Sequence, residues 1–152
     1  MAIGGKTVEN LEAAEVWELL LKAHKLLRKM LQSEAYKEGL TFNDVSLLYL
    51  ARSKGEVTVT DIANYLDVSK STVVEMVEKL SSMGLIVKEK GSTDRRLTLI
   101  KVTDKGEEVL EKVRERYKAF IEKIIARIGD EDCVKKVTLS IIREFNERTG
   151  GK

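Results

Sequence analysis

The sequence has no proline, one cysteine and one histidine among its 152 residues. The single cysteine, Cys133, excludes an internal disulfide and a cysteine-cluster zinc site, and it fits a reducing cytoplasm. With His24 as the one histidine, a histidine-based metal site or a catalytic triad has little support. The sequence also offers no nucleophile–base pair and no glycine-rich phosphate loop. We therefore expect no enzyme, no catalytic residue, no metal and no cofactor.

Long apolar segments are also absent. No run approaches the ~20 apolar residues that a membrane-spanning helix needs. Residues 1–17 lack the basic and apolar regions of a signal peptide, so we expect a cytoplasmic protein without a membrane partner. The absence of proline, the single glutamine and the many Lys, Glu, Ile and Val residues are typical of a thermophile protein.

The overall charge is small, but its distribution is uneven. The formal net charge is +2, which does not by itself indicate nucleic-acid binding. Between Lys88 and Lys105, however, there are six cations and three anions, so this segment carries +3. The apolar fraction of 43% is enough for the core of one domain of ordinary size.

The first predicted helix covers about residues 10–37 and has two adjacent apolar stripes. Together they exceed the ~100° width of a single buried face. We expect two packing partners, the helix's own domain and a second subunit, although one monomeric core is the alternative. One stripe is Val16, Leu20, Ala23, Leu27 and Met30, and the other is Trp17, Leu21, His24 and Leu31.

Three shorter helices follow, and each begins at a hydroxyl residue that can cap it. Thr41, with Asp44 three residues on, has the pattern of a capping box. Thr60 and Ser69 are the expected caps of the next two helices. The helices would cover about residues 42–54, 61–66 and 70–83, with a short β-like run at 57–59.

Residues 85–102 predict a β-hairpin. Strands at 85–87 and 97–102 flank a polar tip that contains Asp94, Arg95 and Arg96. Thr103 is the expected cap of a long helix that ends near Arg127, and a last helix follows. The predicted fold class is therefore mainly α with a small β wing.

Two short helices, a tight break and a helix of about four turns have helix-turn-helix spacing. The apolar residues of the helices at 61–66 and 70–83 would pack together, namely Ile62, Ala63, Leu66, Val73, Val77 and Leu80. This packing would leave the N-terminal turns of the helix at 70–83 exposed. In a recognition helix these turns contact base edges in the major groove, and their amides suit phosphate.

The hairpin directly after this pair predicts a winged helix. An arginine at its tip could enter the minor groove, which is narrow and negative at A·T-rich sequence. Asp94 could hold one guanidinium in a forked ion pair and set its direction. For Arg95, a solvated surface position and a phosphate contact are equally good interpretations.

Three segments resemble the MarR family of transcription regulators: LTFNDVSLLYLA, VTVTDIANYLDVSKSTVVEMVEKLSSMGLI and STDRRLTLIKVTDKGEEVL. The resemblance covers about residues 40–110. Asp94-Arg95-Arg96 matches the family's Asp-x-Arg wing motif. Residues 102–106 match its Leu-Thr-x-x-Gly motif, with Val102 in place of Leu.

The resemblance implies a homodimer that regulates transcription, as a repressor, by binding double-stranded DNA at a near-palindromic operator. Residues 1–152 would form one domain, with a winged helix-turn-helix lobe at 40–102 and dimerisation helices at 10–38 and 103–148. Asp94 would orient Arg96, and Arg96 would enter the minor groove. The implied DNA-binding residues are Ser69, Lys70, Ser71, Thr72, Val74, Glu75, Asp94, Arg95 and Arg96.

The chain departs from the family pattern at Val74 and Glu75, where relatives often carry Thr and then Arg or Lys. Glu75 would repel phosphate, although it could accept a hydrogen bond from cytosine N4. The departure affects the expected operator sequence and affinity more than the DNA-binding role.

The resemblance also implies a cleft for a small aromatic or anionic effector. His24, Tyr36 and Tyr49 are the candidates, although ordinary packing, core or rim positions are the simpler interpretation. Peroxide-sensing relatives keep their reactive cysteine in the first helix, whereas Cys133 lies near the start of the last. A helix N-terminus can lower a thiol pKa, but we expect Cys133 to be a small buried hydrophobe.

A second hypothesis is a protein-interaction module or an architectural protein that coats DNA without specificity. A specific regulator prefers its operator over random duplex by ~10³-fold or more. An architectural protein shows little preference and a steep salt dependence, and a protein-interaction module shows neither.

Overall fold

The computed structural model describes residues 10–150. These residues form six α-helices and three β-strands, which confirms the mainly α fold class with a small β-sheet. A short 3-10 helix at Leu11–Ala13 precedes the first α-helix. The elements are α1 (Val16–Tyr36), α2 (Phe42–Lys54), β1 (Val57–Thr58), α3 (Val59–Leu66), α4 (Lys70–Ser82), β2 (Ile86–Lys90), β3 (Thr98–Val102), α5 (Asp104–Ile128) and α6 (Glu131–Arg148).

The described residues divide into two compact units, a first that ends at Val113 and a second that begins at Arg114 within α5. In the first unit, one hydrophobic core joins α2, α3, α4, the sheet and the start of α5. Burying an aliphatic side chain of this kind contributes ~1.5–3 kcal/mol. The core therefore fixes α4 and the hairpin relative to each other. Its largest fully buried apolar members are Leu40, Leu47, Leu48, Val57, Ile62, Val73, Leu80, Leu85, Ile86, Ile100 and Val113.

The sheet is antiparallel, with strand order β1-β3-β2. The hairpin pairs Ile86 with Val102 and continues to Lys90 opposite Thr98. The short run at Val57 was predicted, but its pairing with Ile100 was not. β2 also extends three residues beyond the predicted 85–87.

Hydroxyl caps begin four of the α-helices, and three of them were predicted. Thr41 and Asp44 form a complete capping box, and Ser69 accepts from the amide of Thr72. Thr103 accepts from the amide of Gly106 at 3.1 Å. The prediction for α3 was wrong, because Thr58 and not Thr60 is its cap.

Helix α1 begins at Val16 rather than near residue 10, and most of its apolar surface is uncovered. Only Glu34 and Ala35 are buried within it. The expectation that one apolar stripe packs on its own chain therefore holds only near the C-terminal end, where Leu31 packs against the core. The exposed apolar residues of this helix are Val16, Trp17, Leu19, Leu20, Leu21, Leu26 and Tyr36.

The second unit consists of the rest of α5 and helix α6, and α6 has no buried residue. Cys133 is exposed in its first turn, so the prediction of a buried thiol is wrong for the single chain. Asp130 caps this helix through the amide of Cys133 at 3.1 Å. The exposed large apolar residues here are Ile128, Val137, Leu139, Ile141, Ile142 and Phe145.

Between residues 10 and 150, no helix combines the length and the hydrophobicity needed to span a bilayer.

Candidate nucleic-acid interface

Helices α3 and α4 form the predicted helix-turn-helix. Ile62 and Ala63 on α3 are buried in the same core as Val73, Val77 and Leu80 on α4. The chain turns between them at Asp67, whose φ of 55° lies in the left-handed region. Asp is among the few non-glycine residues that adopt this conformation readily. The turn orients the N-terminus of α4 away from the core.

The N-terminal turns of α4 present a cluster of hydroxyl groups. The Oγ atom of Ser69 lies 3.0 Å from that of Ser71 and 2.9 Å from Oγ1 of Thr72. Ser69 also accepts from the Thr72 amide at 3.1 Å. All three residues are exposed, as is Lys70. Hydroxyls, a cation and helix N-terminal amides together suit contact with a phosphate backbone.

Val74 and Glu75 lie one turn further along α4, and both are exposed. They share the helix with buried Val73 and Val77. The six residues predicted to contact DNA from this region (Ser69, Lys70, Ser71, Thr72, Val74 and Glu75) are therefore all exposed in the cap and first two turns.

The hairpin tip holds Arg96 in a fixed direction. The carboxylate of Asp94 accepts from Arg96 Nε at 3.1 Å and from Nη2 at 3.2 Å, and it also accepts from the Arg96 backbone amide at 3.0 Å. The Arg96 side chain is nevertheless 91% exposed, against 37% for Asp94. The acid therefore orients the guanidinium without covering it, and Arg95 is exposed beside it.

The same contacts lower the pKa of the Asp94 carboxyl below its usual value of 3.8. The side-chain hydrogen bonds from Arg96 are the main cause and the backbone hydrogen bond is the second. Asp94 is therefore ionised throughout the physiological pH range, and the pair stays formed.

Gly91 closes the tip of the hairpin. Its amide donates to the Leu97 carbonyl at 3.0 Å, and the Leu97 amide donates to the Asp94 carbonyl at 3.2 Å. A Cβ atom at residue 91 would collide with the Asp94 carbonyl oxygen. The absence of a side chain at Gly91 therefore allows the turn that carries Asp94 and Arg96.

Two lysines form ion pairs that link α4 to α2 and to β2. Lys79 on α4 donates to Oδ2 of buried Asp44 at 2.6 Å. Lys88 on β2 contacts Glu78 on α4 at 2.6 Å. The partners lie 35 and 10 residues apart, so no local sequence pattern could reveal them. Lys90, by contrast, forms no ion pair with any residue of 10–150.

The three effector candidates lie in the first unit, and all are exposed. His24 and Tyr36 are both on α1, twelve residues apart, or about 18 Å along the helix axis. Tyr49 lies on α2, where the Arg52 guanidinium is 5.7 Å from its ring centre. A single chain therefore does not bring His24 and Tyr36 together.

No cluster of three or more metal-ligating side chains occurs in the described part of the chain.

Comparison with known proteins identifies the type of domain that carries these residues. A family profile for winged helix DNA-binding domains matches residues 40–106. Bacillus subtilis YpoP, an uncharacterized HTH-type transcriptional regulator, is 30% identical over 127 residues, which are 84% of this chain and 85% of that protein. The HTH-type transcriptional repressor MdtR of the same organism is 27% identical over 111 residues, or 73% of this chain and 71% of that one. Both relatives are named as HTH-type regulators of transcription.

Solved structures share the fold at low sequence identity. AbsC, a MarR family transcriptional regulator from Streptomyces coelicolor, aligns with a TM-score of 0.74 at 20% identity, over 97% of this chain and 99% of that one. CouR from Rhodococcus jostii, solved with p-coumaroyl-CoA bound, aligns with a TM-score of 0.74 at 22% identity, over 90% and 95%.

Proposed function

The chain belongs to the MarR family of winged helix-turn-helix transcription regulators, and we propose that it binds a near-palindromic operator as a homodimer and represses transcription. The observation that carries this proposal is the joint exposure of the α4 N-terminus and of Arg96, which Asp94 directs. The first would read the major groove and the second the adjacent minor groove. The relative MdtR is named a repressor.

In this proposal each residue of the interface has a separate part. Ser69, Lys70, Ser71 and Thr72 contact backbone phosphates and fix the register of α4 in the major groove. Arg96 enters the minor groove, Asp94 holds it there, and Arg95 contacts phosphate. Val74 and Glu75 face the bases. A single cysteine and a DNA partner both fit action in the cytoplasm.

The homodimer is supported by the uncovered apolar residues of α1 and α6. Val137, Ile141 and Phe145 follow one another at four-residue spacing on α6, so they form one stripe, and all three are exposed. Contiguous exposed apolar surface of this kind usually marks an interface. A second copy of the chain would cover it, with residues 10–38 and 103–148 as dimerisation helices and 40–102 as the DNA-binding lobe.

A sedimentation experiment tests the dimer. We expect the wild-type protein to sediment as a dimer and Phe145→Asp to sediment as a monomer, because a charge would be placed in the apolar contact. Ser140→Asp introduces the same charge on α6 away from the apolar stripe, and it should remain a dimer. A monomeric wild type, or equal behaviour of the two variants, would refute this interface.

Selection from a random duplex pool tests the operator. A dimer with one recognition helix per subunit should enrich an inverted repeat whose half-site centres are ~34–36 Å apart, or about 10 base pairs. Enrichment of a single unrepeated site would contradict the symmetric arrangement, and no enrichment would favour the architectural hypothesis.

We also infer control by a small aromatic or anionic effector bound near Tyr36 and Tyr49. The structural neighbour CouR was solved with an aromatic, anionic ligand bound, p-coumaroyl-CoA. An effector that prefers a spacing of the two DNA-binding lobes different from the DNA-bound spacing would shift the population away from the DNA-bound form. Release of labelled operator by one member of a panel of aromatic carboxylates, reduced in Tyr49→Ala, is the expected result. Operator binding that no member changes would contradict it.

A further inference from the structure

One side of α4 is free of the core and carries four exposed residues. Ser71, Val74, Glu75 and Glu78 follow the i, i+3, i+4, i+7 spacing of a single helix face, and all are exposed. The opposite side of the helix is buried through Val73, Val77 and Leu80. This exposed face therefore points away from the core, where it can turn toward base edges.

The two acids on this face differ in their surroundings. Glu78 is neutralised by Lys88 at 2.6 Å, whereas Glu75 forms no ion pair with any residue of 10–150. An unpaired carboxylate near phosphates is repelled by them. In the major groove, the cytosine N4 amino group is the donor that Glu and Asp typically accept from. Adenine N6 also donates, but the N7 acceptor beside it repels a carboxylate, so cytosine is the favoured partner of Glu75.

Val74 gives the face its apolar character. Its side chain is 48% exposed, and it lies beside Glu75 rather than over the core. An aliphatic side chain cannot donate or accept a hydrogen bond. The matching group on a base pair in the major groove is the C5 methyl group of thymine.

We propose, on the basis of the proposed function above, that Val74 and Glu75 determine the operator sequence. Val74 packs on a thymine methyl group, and Glu75 accepts a hydrogen bond from N4 of a cytosine. A helix rises ~1.5 Å per residue and DNA ~3.4 Å per base pair. Two adjacent residues of the helix are therefore separated by less than one base pair along the DNA. Each half-site should accordingly contain the thymine and the cytosine on neighbouring base pairs.

Glu75 has a second effect in this proposal. A duplex that offers no cytosine amino group at this position leaves the carboxylate unpaired and close to phosphate. Glu75 therefore weakens binding to wrong sequences as well as selecting the right one, and specificity often requires such a repulsive element.

The thymine contact is tested by replacing single thymines of the selected operator with deoxyuridine, which removes only the methyl group. For the wild type, one position in each half-site should weaken binding about fourfold, the usual effect of one buried methyl group. Val74→Ala should lose most of this difference, because alanine keeps only the Cβ methyl group of the valine. Val87→Ala is the matched control, because Val87 is a 43% exposed valine on β2, and it should keep the wild-type difference.

The cytosine contact is tested by replacing the adjacent C·G pair with A·T. The wild type should lose about tenfold in affinity, and Glu75→Gln should reverse the preference, because glutamine pairs with adenine N6 and N7. Glu75→Gln should also bind random duplex more tightly than the wild type. Glu78→Gln removes an acid from the same face without changing the base preference.

The proposal requires both base preferences and their loss in the matching variants. It is overturned if the operator is preferred over random duplex while every deoxyuridine substitution is neutral, if Val74→Ala keeps the methyl effect, or if Glu75→Gln keeps the cytosine preference. If no duplex is enriched over random sequence, the proposed function itself fails, and this inference fails with it.

Discussion

Asp44 should be the most costly polar side chain to remove from the first unit. It caps α2 by accepting from the Thr41 amide at 2.9 Å, and the same oxygen accepts from Lys79 Nζ on α4 at 2.6 Å. The Asp44 side chain is only 2% exposed, against 42% for Lys79. One carboxylate therefore joins the start of α2 to the recognition helix.

The expected cost of Asp44→Ala has two parts. Loss of a helix cap costs ~1 kcal/mol. Loss of a charge-assisted hydrogen bond costs ~1.5–3 kcal/mol, and we take the lower end because Lys79 can turn to solvent. The free energy of unfolding should therefore fall by about 2–3 kcal/mol.

Helix α3 offers a matched control for this variant. Asp61 forms the same capping box with Thr58, at 3.0 and 3.1 Å, but it is exposed and pairs with no lysine in the described residues. Asp61→Ala should cost only ~1 kcal/mol. Urea unfolding of the three proteins at one protein concentration measures the difference, since dimer stability depends on concentration. Equal losses in Asp44→Ala and Asp61→Ala would refute the role of the Lys79 contact.

Three further predictions concern the start of α5, the wing and the whole chain. Gly106→Ala should cost about 2–3 kcal/mol in urea unfolding, because the new Cβ would meet the Leu85 carbonyl oxygen and lie 2.7 Å from Val102 Cγ1; an unchanged midpoint would contradict this packing. In carboxyl NMR titrations, Asp94 should titrate below 3.8 in the wild type and move up in Arg96→Ala. Because its pKa is lowered in the folded state, the pair stabilises the tip above the usual Asp pKa and is lost as the pH falls through the lowered value. The composition predicts thermal unfolding above the ~45–65 °C typical of mesophile domains, and calorimetry would show a midpoint inside that range if the thermophile interpretation is wrong.

Local patterns in the sequence predicted most of the fold correctly. The caps at Thr41, Ser69 and Thr103 depend on contacts three residues apart, so the sequence displays them directly. The sequence displays the correct cap of α3, Thr58, in the same way, although we expected Thr60. Asp61 lies three residues after Thr58, the spacing that had identified Thr41, and this signal was overlooked.

Contacts between residues far apart in the sequence could not be predicted from local sequence patterns. The pairing of Val57 with Ile100 and the ion pair of Lys79 with Asp44 join segments separated by more than thirty residues. The three charged residues that extend β2 looked like loop, yet Lys101 on β3 lies 2.9 Å from Glu89 across the hairpin. Cross-strand pairs of this kind stabilise a solvent-facing strand.

The candidate DNA interface was predictable because its residues are close together in the sequence. Asp94 and Arg96 are two residues apart, and the forked pair that joins them was expected from their order. The burial of Cys133 was predicted wrongly, because α6 buries none of its residues within its own chain. Burial of an apolar helix face depends on its partner, which a single sequence does not identify.

The most direct test of sequence-specific DNA binding is a titration of the protein into a fluorescent duplex from just upstream of its own gene, with random duplex as control. The wild type should prefer its own sequence by ~10³-fold or more. Arg96→Ala should lose about tenfold or more of that affinity. Arg95→Ala should lose less, and equally on both duplexes, because the proposed contact of Arg95 is with phosphate alone. Equal binding of both duplexes by the wild type, or equal losses in the two variants, would contradict the account.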